Sequence, residues 1–237
     1  MFSSVIVPVE GTPSSLRTVP IAMTLARQIG APVVVVRVVA SDEEVAPATL
    51  QMRALLAPTT DGVSLEVLVG DSVGTELLGF VHRQDSPLVV MATYARTAVG
   101  ELLLGSVADE IVRHAEVPVV MIGPNVEPLP DGERYEELIA CVDDTTLRRR
   151  LAPVVANSTT DLAMVATMFE VDAPAEHSVH AVLDFASRRR APILAVATRG
   201  RPPAERLLES STAIALIRSA TCPVLVIGPS VVWDPEP

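Results

Sequence analysis

Short aliphatic runs alternate along this chain with longer stretches whose apolar residues recur every three or four positions. The runs read as buried β-strands and the stretches as helices packed on them. In the first half the pattern predicts strands over Ser4–Val9, Pro32–Val39, Val63–Val69, Leu88–Ala92 and Val117–Ile122. The intervening helices are predicted over Pro13–Ile29, Ala46–Leu56, Ser72–Arg83 and Val99–His114. Thr12 is placed to cap the first helix, with Pro13 at its first position, and Asp71 or Ser72 to cap the third. The second half reads as strands 138–142, 161–171, 193–197 and 222–227 with helices 146–157, 177–189 and 204–218. Strict alternation of strand and helix implies an α/β fold of doubly wound parallel sheets with right-handed crossovers.

The two halves repeat each other. Residues 83–125 align without a gap on 188–230 at an offset of 105, and 16 of the 43 positions are identical. The fronts also align, Val5–Thr12 on Leu138–Thr145, but at an offset of 133. The offsets differ by 28 residues, the length of the segment Asp42–Val69, which holds one predicted helix and one predicted strand. The second half is therefore expected to lack one complete αβ unit. The predicted organisation is a first domain over 1–125, a Pro-, Gly- and acid-rich linker over 126–137, a shortened second domain over 138–230 and a tail over 231–237. Each half is expected to carry its own sheet. The equivalent runs VPVVMIG and CPVLVIG are expected to pair the halves as an intramolecular pseudo-dimer, covering two sheet edges.

Charge narrows the function. The net charge is −11, and all 18 basic residues are arginine. Such a surface repels nucleic acid and anionic membranes, so neither is an expected partner. The absence of lysine excludes a Walker A loop, whose lysine reaches the terminal phosphates. The cysteines Cys141 and Cys222 lie in predicted strands, as small buried apolar residues do. No leader pattern is visible at the N-terminus, and no uncharged run nears the ~20 residues of a membrane helix, so a cytoplasmic location is expected.

Residues 91–123 read MATYARTAVGELLLGSVADEIVRHAEVPVVMIG, and the chain opens with IVPVEGTPSS. Both segments resemble the universal stress protein family, whose nucleotide-binding members carry Gly, two residues, Gly, nine residues, then Gly-Ser or Gly-Thr. The resemblance covers nearly the whole chain, twice. It implies a five-stranded parallel sheet in order 3-2-1-4-5, and makes the missing unit edge strand 3 with its helix. It also implies an adenine nucleotide such as ATP, with Mg2+ only in company of the nucleotide. Ligands of open α/β sheets sit beyond the strands' carboxyl ends where strand order reverses, here between strands 1 and 4. By the same resemblance Pro8, Val9, Glu10, Val38 and Met91 would line base and ribose. Ala92, Ala95, Arg96, Gly105, Ser106 and Val107 would form the phosphate loop.

The chain departs from the family pattern in stated places. Alanine stands for glycine at Ala92 and Ala95, and Glu10 for the usual aspartate. The second half keeps Asp143 and Gly200 but has Ala197, Asp144, Ser210-Ser211 and Pro202-Pro203, and the two prolines remove two N–H donors from its loop. A nucleotide is therefore expected in the first half only. His177 and His180 share a helix face but lack further ligands, so no metal site is expected. His82 and His114 sit near helix ends, where they favour the dipole. The arginine runs 148–150 and 188–190 read either as an anion patch or as solvated ion-paired faces, and Tyr94 either flanks a ligand or lies on a surface loop. No nucleophile–base pair is visible and no enzyme is expected. Two functions stay open: a stress-response regulator that binds an adenine nucleotide, and a nucleotide-free interaction or scaffold module with a protein partner.

Overall fold

A computed structural model describes residues 2–56, 62–93, 95–96, 102–103, 105–142, 145–170, 175–198 and 212–231. The first half runs β1 (Ser4–Pro8), α1 (Pro13–Leu16), α2 (Thr18–Ile29), β2 (Val33–Val39), α3 (Asp42–Leu56), β3 (Val63–Val69), α4 (Val73–His82) and β4 (Pro87–Ala92). It closes with two short strands, β5 (Ala95–Arg96) and β6 (Leu102–Leu103), then α5 (Ser106–His114) and β7 (Val119–Ile122). The second half runs β8 (Glu137–Val142), α6 (Thr145–Asp161), β9 (Val165–Glu170), α7 (Ala175–Ser187), β10 (Pro192–Ala197), α8 (Thr212–Ser219) and β11 (Val224–Ile227).

The strands form one nine-stranded sheet in the order β3-β2-β1-β4-β7-β11-β10-β8-β9. β7 pairs antiparallel with β11, the pairing expected of VPVVMIG and CPVLVIG, and it makes one continuous sheet of what were expected to be two. All other pairs of this sheet are parallel. On either side of the join the order reads 3-2-1-4-5 and 5-4-1-2, so the missing unit is an edge unit and the centre of the shorter half is intact. Apolar side chains on the two faces of the sheet form two cores. One lies under α2, α3 and α6, with Leu25, Met52 and Leu151 fully buried, and the other under α4, α5, α7 and α8, with Leu77, Ile111 and Leu216.

Several boundaries move for identifiable reasons. The first helix breaks after Leu16. Pro20 has no N–H to offer the Leu16 carbonyl, and Thr18 bonds its hydroxyl to the Ser15 carbonyl at 2.7 Å. Helix α3 starts at Asp42 rather than Ala46, with Asp42, Glu43 and Glu44 at the positive end of its dipole. Helix α6 runs past its expected end at 157 to Asp161, the first residue of the expected strand 161–171. Thr159 and Thr160 stay helical by bonding their hydroxyls to the Val155 and Ala156 carbonyls, both at 2.9 Å. The chain then turns at Ala163, whose φ is +50°. Leu102 and Leu103, expected in a helix, pair antiparallel with Arg96 and Ala95. Helix α5 begins only after Gly105, whose extended backbone (φ −61°, ψ 151°) ends that excursion.

The join between the halves is reciprocal. Gly123 lies against the Ile217 carbonyl and Gly228 against the Val112 carbonyl; a Cβ on either would come within 2.0 Å of that oxygen. Asn125 Nδ2 donates to the Arg218 carbonyl at 3.0 Å, and Ser230 Oγ to the Arg113 carbonyl at 2.7 Å. Each half thus satisfies carbonyls at the end of the other half's last helix. Gln28 of α2 adds a second tie, donating to the Tyr135 and Leu162 carbonyls at 3.0 and 2.9 Å and accepting from the Tyr135 N–H at 2.8 Å.

Candidate functional site

Strand order reverses between β1 and β4, and at their carboxyl ends lies a cavity of about 600 Å³. Its floor comes from the strand ends: Pro8 closes β1 and Val9 follows it, Val36 and Val38 alternate on β2, and Met91 and Ala92 close β4. Val73 and Leu77, one turn apart on α4, make a side wall. Gly105, Ser106, Val107 and Ala108 form the lip at the start of α5. Glu10, Thr12 and Ser15 supply polar groups from the turn after β1.

That turn is held by Ser15. Its buried hydroxyl accepts the Glu10 and Thr12 N–H groups, both at 3.2 Å, and donates to the Thr12 carbonyl at 2.9 Å. Thr12 caps α1 as expected, its Oγ1 accepting the Ser15 N–H at 3.2 Å. The carboxylate of Glu10 is left at the exposed mouth.

The lip has the opposite electrostatic character. Among the described residues no side chain caps α5, whose cap residue is glycine. By contrast α4 is closed by its own Ser72, which accepts the Thr75 N–H. The first acid of α5, Asp109, is held by Arg113 at 2.8 Å, one turn along the helix. The first-turn N–H groups of α5 and its positive dipole end therefore face a cavity whose floor is apolar.

Nine of the eleven residues expected at the site converge here: Pro8, Val9 and Glu10, Val38, Met91 and Ala92, and Gly105, Ser106 and Val107. The backbone of Ala95 and Arg96 forms the β5–β6 pair; their side chains, and the whole of Tyr94, lie outside the described residues. Thr12, Ser15, Val36, Val73, Leu77 and Ala108 also line it, and the sequence did not single them out as site residues. Val36 was within reach, since it shares a strand face with Val38. Val73 and Leu77 join the cavity only because α4 crosses above it, and no local signal carries that.

In the second half, β8 and β10 meet at the equivalent reversal. Thr198 bonds the Ile227 carbonyl at 3.4 Å as Thr93 bonds the Ile122 carbonyl at 3.3 Å. Asp143, Asp144, Gly200, Pro202, Pro203, Ser210 and Ser211 fall outside the described residues. Among the described residues no group of three His, Cys, Asp or Glu side chains could hold a metal ion.

The fold and the cleft define a tandem doubly wound α/β protein with a ligand-sized site at the switch point of its first half. The family model of the universal stress protein family matches residues 1–123 and 135–228, and the chain belongs to that family. A universal stress protein of Methanocaldococcus jannaschii is 23% identical over 141 residues, 52% of this chain and 82% of the relative. A universal stress protein structure from Archaeoglobus fulgidus superposes with a TM-score of 0.66 at 14% identity, covering 95% of this chain and 96% of the other. A putative universal stress protein structure from Pseudomonas aeruginosa gives 0.61 at 14%, covering 97% and 94%. At that identity the structural likeness speaks for the fold. Among the described residues no helix is long and apolar enough to cross a membrane.

Proposed function

We propose that this chain is a cytoplasmic stress-response regulator whose first half binds an adenine nucleotide, ATP or a close relative, without turning it over. One observation carries the reading: an uncapped helix N-terminus faces an apolar cavity of about 600 Å³ at the point of strand reversal. The volume falls within the ~300–1,000 Å³ of small-molecule sites. The apolar floor of Val36, Val38 and Met91 suits a base, and Glu10 suits a ribose hydroxyl as acceptor. The α5 N-terminus with the Ser106 hydroxyl suits a phosphate. These groups support the reading, and Mg2+ would enter only with the phosphates.

The test is calorimetric titration of ATP into wild type, Gly105→Asp and Ala95→Gly. Wild type should bind with about one site per chain. An aspartate at position 105 would cap α5 with its own carboxylate and repel phosphate, so Gly105→Asp should fold at least as well but bind at least about a hundredfold more weakly. Ala95→Gly should bind no worse than wild type. No heat from wild type but clear binding by Ala95→Gly would sink the reading. The Glu10 carboxylate and the alanines at positions 92 and 95 favour that rival, a nucleotide-free interaction module.

A further inference from the structure

The internal repeat supplies its own control for the outer edge of the second half. At the offset of 133, Val33, Val35 and Val36 of β2 correspond to Ala166, Met168 and Phe169 of β9. In the first half β3 pairs along the whole of β2, α3 packs beside it, and Val33 and Val35 are 3% and 0% exposed. In the second half that unit is missing. Ala166 is exposed, Met168 is 37% exposed, and Val165 at the start of the strand is 68% exposed. Among the described residues no strand pairs with the outer edge of β9. Sheet edges that must stay single are blunted by charge, proline or a bulge. The β3 edge follows this rule, with Glu66 exposed at its centre. The β9 edge does not. Its register with β8 is unbroken over six residues, and Val165 to Phe169 contains neither charge nor proline.

We propose that β9 is a self-association edge, paired antiparallel with β9 of a second copy of this chain. The join between β7 and β11 shows the geometry, since it places Val120 opposite Leu225, its own equivalent at the offset of 105. Two copies of β9 meet in the same way about a two-fold axis normal to the sheet. The Val165 N–H donates inward to the Glu136 carbonyl at 2.9 Å, so the N–H and C=O groups of Ala166 and Met168 point outward. Setting Thr167 opposite Thr167 of the second copy makes Ala166 and Met168 exchange hydrogen bonds across the axis. It also places Val165 opposite Phe169 of the second copy on the α7 face. The next register would set Ala166 against Glu170 and is disfavoured. Glu170, held by Arg148 at 2.9 Å, then lies beyond the paired stretch. The charge of Glu66 turns β3 away as an alternative mate.

Sedimentation of the full chain from micromolar to near-millimolar concentration tests this. The small pairing area predicts a reversible dimer that half-dissociates on the order of 10 µM. Met168→Pro removes an outward N–H, and Ala166→Lys places a charge in the seam. Each should leave the circular dichroism spectrum unchanged and the protein monomeric throughout. Thr167→Cys reads the register. Residues facing each other across a non-hydrogen-bonded pair have Cα atoms about 4.5 Å apart, within disulfide reach, so mild oxidation should link two copies while Val165→Cys stays unlinked. A wild type that remains monomeric at every concentration overturns the proposal. So does a dimer that survives both Met168→Pro and Ala166→Lys, an open-ended assembly, or linkage through position 165 in preference to 167.

Discussion

Cys141 and Cys222 are free and buried, and burial is the main cause that pushes both thiols up to about 12 from an ordinary 9. A thiol held protonated is a poor nucleophile. Neither should be alkylated in the folded protein at pH 8, and both should label once the chain is unfolded, which mass spectrometry reads directly. Because the folded values are the higher, these groups favour the folded state fully below pH 9. That advantage is lost as pH rises from 9 through 12, since unfolded thiols ionise first. Denaturant midpoints should therefore fall across that window. The arginine runs resolve at the same scale. Arg148 pairs with Glu170, Arg188 with Asp184 at 2.7 Å and Arg190 with Glu136 at 3.4 Å, while Arg189 stacks on Phe185 at 4.2 Å. Arg189 also pairs with Glu137 at 3.8 Å, so the solvated ion-paired reading holds for these four; Arg149 is exposed, and the side chain of Arg150 lies outside the described residues.

Among the elements, the strands were the most legible because a buried parallel strand must be aliphatic on both faces. Helix ends were less so. The break after Leu16 depends on a proline four residues on, and the run from Val99 was read as helix because a few apolar residues fit both periods. Legibility also failed at the glycines that close each half. Their place in the repeat, Gly123-Pro124 and Gly228-Pro229, is plain in the sequence, but their task is visible only where each meets a carbonyl of the other half. Gly123→Ala and Gly228→Ala should each destabilise the protein by about 2–3 kcal/mol, as a buried clash with backbone does. Chemical denaturation measures this, and Gly132→Ala is the wrong control because its φ is +83°; Gly79→Ala, where a Cβ meets only the tip of Arg83 at 3.4 Å, is the right one.

At the scale of the whole molecule, the β7–β11 ladder, the reciprocal caps from Asn125 and Ser230 and the Gln28 clamp bind the halves into one body. Calorimetric heating should show a single transition, with calorimetric and van't Hoff enthalpies in agreement. Two resolved transitions would mean that the halves unfold independently despite these ties.

The sequence alone determined the strand and helix alternation, the two-fold repeat, the loss of one αβ unit and nine residues of the cavity. The first three are properties of local periodicity and self-similarity, so the chain order carries them; the cavity residues followed from the resemblance of two short segments to a family. Tertiary structure decided the rest. It brought Val73 and Leu77 over the cavity and carried the expected pairing of the terminal strands through into one continuous sheet. It also showed that the equivalent of a buried strand in the first half is an open edge in the second. Each of these depends on which surfaces meet between separate elements, and burial of apolar area with satisfaction of backbone groups selects them only once the whole sheet has assembled.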